Sequence, residues 1–337
     1  MTSPRKILGA VLVLWLAAPA VMLPQQQEDP RARIRATVEL VVVPVTAKDP
    51  AGKLVSDIRQ DEFRVFEDGR EQKITLFSVD PFPLSIVVLI DNALKLKAAE
   101  QVGESLRAIA GGFSENDEVA VCRFDTALET IGDFTKDGDA ILSELKRLEI
   151  SHTYPGEGSG PMTAGPRINA APPLGSPGRP AVIVSAKQSK NIDDAIYAAS
   201  QMLRDRERGR RRIIYVISDG INSNNNTFSF KDTIKALLSA DISVYAIGVG
   251  DAVLNRSTGV LSRYAHSTGG DIFYASKRSE LEDFYAQITE QARNQYTIGY
   301  VPENTDRKIE YHAIEVRVRR EGLSLSARDG YYMPARP

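Results

Sequence analysis

The chain has 337 residues, of which 42% are hydrophobic, so it is long enough to build one large or two ordinary domains around apolar cores. Its formal net charge of −2 gives no electrostatic reason to expect binding to nucleic acid or to an anionic membrane surface. The single cysteine, Cys122, excludes an intramolecular disulfide, and its apolar neighbours predict a buried side chain instead of a nucleophile.

The N-terminus has the three-part layout of a secretory signal peptide. Two basic residues precede an apolar run that is short for a membrane span, and Ala18–Ala20 provides small residues for cleavage. We therefore expect residues 1–20 to be a signal peptide and residues 21–33 a linker, with the folded part exported to the periplasm, the cell surface or the medium. An uncleaved anchor is the alternative, because Val21–Leu23 extend the apolar run, and a membrane is expected as a partner only in that case.

Residues 34–80 have β character and lack helical periodicity. Thr37–Val45 has the composition of a strand. Phe63–Glu67 and Gln72–Ser78 alternate apolar and polar residues around a tight Asp-Gly turn, which predicts a β-hairpin.

In residues 83–294, apolar strands alternate with helices, a pattern typical of βαβ units and a parallel sheet. The predicted strands are Ser85–Ile90, Glu118–Phe124, Arg212–Ile217, Ile242–Gly248 and Asp271–Tyr274. The predicted helices are Ala98–Ala110, Ala140–Leu148, Asp194–Leu203, Phe230–Leu238 and Glu280–Arg293.

Two segments of this region have an unusual composition. Residues 151–190 are rich in proline and glycine, which indicates an insertion that is either mobile or ordered as a lid. Arg204–Arg212 is basic, but acidic residues interrupt it and no aromatic residue is interleaved. We interpret this run as a solvated helix end and not as a nucleic-acid patch.

Residues 295–334 return to the alternation of antiparallel strands. Each β-rich flank has few strands, and isolated strands need partners for stability. We therefore expect residues 34–80 and 295–334 to pair in one β-sandwich-like domain, with the α/β domain inserted between them.

Two aspartates follow two of the predicted strands, Asp91 after Ser85–Ile90 and Asp219 shortly after Arg212–Ile217. In an open parallel sheet, ligands collect at the carboxyl ends of the strands, so a polar site is expected there. A helix-capping role for each aspartate is the alternative.

Three motifs in chain order resemble von Willebrand factor A domains: Ile214–Gly220, Val244–Asp251 and Thr268–Phe273. The resemblance implies an α/β, Rossmann-like domain with a mostly parallel sheet and helices on both faces. The flanks are similar to an exported, acidobacterial-type von Willebrand factor A-related subfamily, and the motifs that carry this likeness are Asp61–Gly69, Gln295–Tyr300 and Gly330–Tyr332.

The resemblance also implies a metal-ion-dependent adhesion site, in which an Asp-x-Ser-x-Ser loop, a threonine and a later aspartate hold Mg²⁺. The two aspartates correspond to Asp91 and Asp219. Ala93 and Lys95 stand at the two serine positions, and Lys190 aligns with the threonine.

These replacements predict a degenerate site. Ala93 has no donor oxygen, and a lysine cation repels Mg²⁺ at contact distance, so divalent-metal binding is disfavoured and no cofactor is expected. A lysine ammonium between the two aspartates is the expected replacement for the ion. Asn92, Asn222 and Ser223 are candidates for polar contacts with a partner at the rim of the site. A solvated loop also accounts for the polar run from Asn222 to Thr227.

Enzyme chemistry finds no support. His152, His266 and His312 lie in three different regions, and no nucleophile elbow, zinc-protease motif or phosphate-binding loop occurs. Two hypotheses remain: an exported module that binds a protein or cell-surface partner through the loops at the carboxyl end of the sheet, or a structural subunit of an envelope assembly with a silent site. A hydrolase is the least supported alternative.

Overall fold

The computed structural model describes residues 40–148, 152–153, 190–207, 209–254, 259–303 and 310–333. The predicted signal peptide and linker, and the predicted insertion apart from residues 152–153 and 190, lie outside these residues. The β-rich flanks and the α/β domain belong to one compact unit, Glu39–Pro337.

The α/β domain contains a six-stranded sheet in the order β12-β11-β10-β5-β7-β8. Five of its strands are parallel and β8 is antiparallel to β7. These strands are β5 (Leu84–Asp91), β7 (Glu118–Phe124), β8 (Leu128–Thr135), β10 (Arg211–Ser218), β11 (Ile242–Val249) and β12 (Ile272–Ala275). A separate two-stranded pair consists of β6 (Leu94–Lys95) and β9 (His152–Thr153).

Six helices belong to the described part of this domain. They are α1 (Leu96–Gly111), α2 (Gly138–Arg147), α3 (Ile192–Arg204), α4 (Phe230–Ser239), α5 (Val260–Ser267) and α6 (Arg278–Arg293). In the described ranges, no helix is both long and apolar enough to cross a membrane.

The central strands explain the layered packing. β5 is buried along its whole length, as expected for a nearly continuous apolar run in a parallel sheet. Ile86, Val88 and Ile90 pack on the face covered by α1, α2 and α6, whereas Val87 and Leu89 pack on the face covered by α3, α4 and α5. Burial on two faces makes these strands the core of the domain.

The two flanks pair in two four-stranded antiparallel sheets, with strand orders β15-β1-β13-β4 and β16-β14-β2-β3. The strands are β1 (Val41–Lys48), β2 (Phe63–Glu67), β3 (Arg70–Gln72), β4 (Ile74–Ser78), β13 (Tyr296–Tyr300), β14 (Tyr311–Val318), β15 (Ser324–Ala327) and β16 (Gly330–Tyr332). Val43 and Ile298 from one sheet share a core with Val65 and Ile314 from the other. The predicted fold class, an α/β domain with a β-sandwich built from both flanks, is confirmed.

The predicted hairpin is wrong in one detail. β2 and β3 do pair across the Asp68-Gly69 turn, but β4 leaves this sheet and pairs with β13 in the other one. The alternation of apolar and polar residues continues from β3 into β4, so the sequence pattern does not show that the chain changes sheet there.

The prediction that Arg204–Arg212 is a solvated helix end holds for Arg204 and Asp205, whose side chains are 60% and 85% exposed, but is wrong for Arg206 and for residues 210–212. Helix α3 ends at Arg204, and Arg206 and the arginines at 210–212 bond to other segments of the protein. Arg206 donates to both oxygens of Glu118 at 2.8 and 2.5 Å. Arg210, Arg211 and Arg212 donate to backbone carbonyls of the protein at distances between 2.5 and 2.8 Å. These arginines therefore supply hydrogen bonds to backbone carbonyls of neighbouring segments.

The prediction that Cys122 is buried is confirmed. Burial raises the pKa of its thiol to about 11, so almost no thiolate exists near neutral pH, and the thiolate is the reactive form. We expect the native protein to resist a thiol reagent at about pH 8 and the unfolded protein to react fully. Mass spectrometry of both samples measures this, and rapid modification of the native protein would show that the strand opens readily.

Candidate functional site

The candidate site lies where two neighbouring parallel strands end. Ile217 of β10 pairs with Ile90 of β5, so the residues that follow both strands lie at the same edge of the sheet. The chain runs from β5 to β7 on one side, and β10 lies on the other, so this is the point where the strand order reverses. Such a switch point leaves a crevice outside the carboxyl ends of the strands.

Three charged side chains meet in this crevice. Nζ of Lys190 lies 2.7 Å from Oδ2 of Asp219 and 3.2 Å from Oδ2 of Asp91. The side chains are 5%, 4% and 0% exposed, in the order Lys190, Asp219, Asp91. One ammonium therefore bridges two buried carboxylates, and we refer to Asp91, Lys190 and Asp219 as the charged triad.

Two hydrogen bonds hold the peptide group between Lys190 and Asn191 in place. Its carbonyl accepts a hydrogen bond from the amide of Ser223 at 2.7 Å, and the amide of Asn191 donates to the carbonyl of Asp125 at 2.8 Å. Helix α3 begins two residues later. The loops after β7 and β10 thus fix the start of α3, which aims the lysine side chain into the crevice.

Asp91 accepts several hydrogen bonds in addition to the one from Lys190. Oδ2 accepts from the hydroxyl of Ser218 at 2.7 Å, and Oδ1 accepts from the amide of Ala93 at 2.8 Å. Burial nevertheless raises the pKa of Asp91 above its ordinary value; the Lys190 ammonium opposes this, and the Asp219 carboxylate adds to it. Two carboxylates in so small a volume need a cation, and Lys190 supplies one.

Neither Ala93 nor Lys95, the residues at the two serine positions, contributes its side chain to the triad. Ala93 is buried, and its methyl group has no donor atom to offer. Nζ of Lys95 lies 2.8 and 2.7 Å from the carboxylate oxygens of Asp251, and the Lys95 side chain is 59% exposed. Lys95 therefore forms a surface ion pair across the mouth of the crevice.

The predicted rim residues are partly engaged in the fold. Oδ1 of Asn222 accepts from the amide of Ile192 at 3.0 Å, and its Nδ2 donates to Asp193 at 2.9 Å. The amide of Ser223 bonds to Lys190, as described above, and the side chain of Asn92 reaches Asp125 at 3.4 Å. The loop that begins at Asn222 thus ties β10 to the start of α3.

Three residues of this region were missed by the sequence reasoning: Ser218, Asp193 and Asp251. Ser218 is the last residue of β10, and its position beside Asp219 could have indicated its role. Asp193 accepts a 2.6 Å hydrogen bond from Tyr264 in addition to the bond from Asn222. No sequence signal connects it to α5, which lies about seventy residues away.

The residues present do not fit a divalent cation. Mg²⁺ requires near-octahedral oxygen coordination at about 2.0–2.1 Å. Asp91 and Asp219 offer oxygens, but Ala93 offers none, and the Lys190 ammonium takes the position between the two carboxylates. An ammonium and a divalent ion repel each other at that distance.

A pocket of about 260 Å³ adjoins the triad on the side of Asp219. Its lining is mainly apolar and includes Leu261, Ile272 and Tyr274, with Asp219 and Ser262 as polar members. The pocket therefore offers an apolar side chain a place to bury next to a charged group.

The mostly parallel sheet with helices on both faces, and with acidic residues at the carboxyl ends of its central strands, is the architecture expected of a von Willebrand factor type A domain. A sequence model of the von Willebrand factor type A domain matches residues 181–287, which lie within the α/β domain. Curated protein sequences contain no match to the chain.

Several solved structures are similar to part of the chain. The hypothetical protein BatB from Bacteroides thetaiotaomicron is 16% identical, with 62% of this chain and 98% of that chain covered and a TM-score of 0.44. An aerotolerance-related membrane protein from Bacteroides fragilis is 16% identical, with 61% and 98% covered and a TM-score of 0.42. Proximal thread matrix protein 1 from the mussel byssus is 14% identical, with 67% and 49% covered and a TM-score of 0.45.

Proposed function

We propose that the protein is an exported protein-binding module that recognises its partner through the loops at the carboxyl end of the central sheet, without a divalent metal. The observation that carries this proposal is the position of the Lys190 ammonium, 2.7 and 3.2 Å from the two carboxylates. The degenerate form of the adhesion site and the likeness of the flanks to the exported acidobacterial-type subfamily are parts of the same proposal.

The type of domain supports binding in preference to catalysis, because von Willebrand factor type A domains generally act as interaction modules. The edge of the sheet offers two features to a partner: the pocket beside Asp219 and the exposed pair Lys95–Asp251. In a metal-loaded site, a partner carboxylate would complete the coordination of the ion. Here two carboxylates already neutralise the charge of the tethered ammonium, which is buried, so recognition falls to the pocket and the rim.

Export rests on the N-terminal sequence. The predicted signal peptide and the absence of a second apolar run of spanning length favour a protein that is released or held at the envelope. Its partner is accordingly expected to be a protein or a surface component outside the cytoplasm.

Capture of partners from envelope proteins tests this function. We expect the immobilised chain to retain the same partner with EDTA and with Mg²⁺, because no metal takes part. A charge-exchanged variant, Lys95→Glu/Asp251→Lys, is expected to weaken capture because it keeps the ion pair but reverses the charge pattern of the rim. Glu115→Lys, in the exposed loop before β7 at the opposite edge, is the control and should capture normally.

Two outcomes contradict the proposal. Loss of capture in EDTA would show that a metal is needed. Capture that is undiminished in the rim variant would indicate that other surfaces make the contact, which is the expectation for a structural subunit of an assembly.

A further inference from the structure

Three residues outside the crevice lie together at one end of the β-sandwich. His312, Glu67 and Asp68 each place one ligand atom within 4.8 Å of the other two. Nδ1 of His312 is 2.7 Å from Oδ2 of Asp68 and 3.6 Å from Oε1 of Glu67. The side chains of Glu67 and His312 are each 1% exposed, whereas that of Asp68 is 37% exposed. This cluster is therefore buried within the sandwich and reachable from solvent past Asp68.

The strand register brings these residues together. Glu67 is the last residue of β2 and pairs with Ile314 of β14. His312 lies two residues before Ile314, so it points to the same inner face of the sheet. Asp68 follows in the turn with a φ of 48°, a left-handed conformation that aspartate tolerates better than most residues.

Each carboxylate has one anchored oxygen and directs the other toward the imidazole. Oε2 of Glu67 accepts from the hydroxyl of Tyr331 at 3.2 Å. Oδ1 of Asp68 accepts from the amide of Ala313 at 2.9 Å. Such outer contacts orient ligand groups in metal sites, because they fix the carboxylate while leaving a lone pair for the ion.

The second oxygen of Glu67 is the unusual feature. Oε1 is buried and makes no hydrogen bond among the described residues, although the Tyr300 hydroxyl, which also makes none there, lies close enough that burial and the Glu67 carboxylate together raise the pKa of Tyr300. Within that part of the chain, no lysine or arginine forms an ion pair with Glu67, and its one contact of this kind is His312 at 3.6 Å. Leaving a buried carboxylate oxygen unpaired carries an energetic cost. A cation beside Oε1 would remove that cost.

We propose that Glu67, Asp68 and His312 bind a divalent transition-metal ion, with Zn²⁺ as the chemically best-matched ion. One imidazole nitrogen and two carboxylate oxygens suit zinc, whereas Mg²⁺ prefers oxygen ligands alone. The 2.7 Å contact between Nδ1 and Asp68 requires a proton between them, and the ion takes the place of that proton. Because Asp68 is 37% exposed, water could reach the ion on that side.

A metal ion at this place would join the two flanks of the chain. Asp68 and His312 are 244 positions apart in sequence, on either side of the α/β domain. An ion that binds the folded sandwich and not the unfolded chain stabilises the fold by mass action. The site is therefore inferred to be structural. It would hold together the two flanks between which the α/β domain is inserted.

Calorimetric titration of the EDTA-stripped full chain with ZnCl₂ tests this inference, together with the melting temperature with and without Zn²⁺. We expect one site per chain with micromolar or tighter affinity, and a higher melting temperature in Zn²⁺. Glu67→Gln keeps the shape but weakens a ligand, and His312→Gln removes the nitrogen ligand. Each is expected to weaken the affinity by about 100-fold or more. The control, His266→Gln, removes an exposed histidine and should bind as the native chain does.

Absence of saturable Zn²⁺ binding by the native chain would overturn the inference. It would be overturned equally by Glu67→Gln and His312→Gln variants that bind Zn²⁺ with native affinity, because the ion would then lie elsewhere. The outcome is independent of the charged triad, since none of these substitutions changes the crevice.

Discussion

Replacing Lys190 by alanine is expected to lower the free energy of unfolding by about 3–5 kcal/mol, the usual cost of removing one partner from a buried ion pair. The substitution leaves Asp91 and Asp219 facing each other at 0% and 4% exposure without their cation. Their mutual repulsion and the loss of two charge-assisted hydrogen bonds act in the same direction. The same carboxylates should then recruit a divalent cation, so millimolar Mg²⁺ is expected to restore part of the stability.

Urea unfolding followed by circular dichroism measures this effect. Lys95→Ala is the matched control, because Lys95 also pairs with an aspartate at the same edge of the sheet but is 59% exposed. Exposed ion pairs contribute about 0–1 kcal/mol, so the control should unfold nearly as the native protein does. Equal stability of the Lys190→Ala and Lys95→Ala variants would show that the triad is not the buried arrangement described.

Replacing Gly270 by alanine is expected to destabilise the protein by about 3 kcal/mol or more, at or beyond the upper end of ordinary overpacking. A β-carbon at Gly270 would overlap the backbone carbonyl of Val244 in the central strand β11. A backbone atom in a buried strand cannot move aside as the end of a flexible side chain can. Relief would require the segment before β12 to separate from the sheet.

Gly103→Ala is the control for this prediction. Gly103 lies on the exposed face of α1, and nothing lies within 4 Å of a β-carbon built there. Alanine in a helix interior is favoured over glycine by about 0.5–1 kcal/mol, so this variant should be slightly more stable than the native protein. Denaturation midpoints of the two variants that shift in the same direction would contradict the packing described at Gly270.

The buried strands of the α/β domain could be predicted because their burial on two faces demands long apolar runs, as in β5 and β10. Strand β8 was missed because it lies at the edge of the sheet and mixes exposed and half-buried positions, with Gly132 in its interior. Helix α5 was missed because eight residues give barely two turns of periodicity. Both elements are defined by the neighbours they pack against more than by their own pattern.

The sequence was enough to predict where the candidate site lies, but not which lysine lies between the two aspartates. Asp91 and Asp219 were identified because each follows an apolar strand, and strand ends converge in a parallel sheet. The choice between Lys95 and Lys190 depends on hydrogen bonds between loops, which no local pattern encodes. The cluster of Glu67, Asp68 and His312 was missed for a similar reason, since only the pairing of β2 with β14 brings it together.

A calorimetric titration of the native chain with Mg²⁺ and Mn²⁺ tests the central claim most directly, namely that the Lys190 ammonium takes the place of a metal ion. We expect no saturable binding of either ion in the crevice of the native chain, and measurable binding by Lys190→Ser, which restores a neutral oxygen between the two carboxylates. Stoichiometric, micromolar binding by the native chain that disappears in Asp91→Ala would contradict the claim.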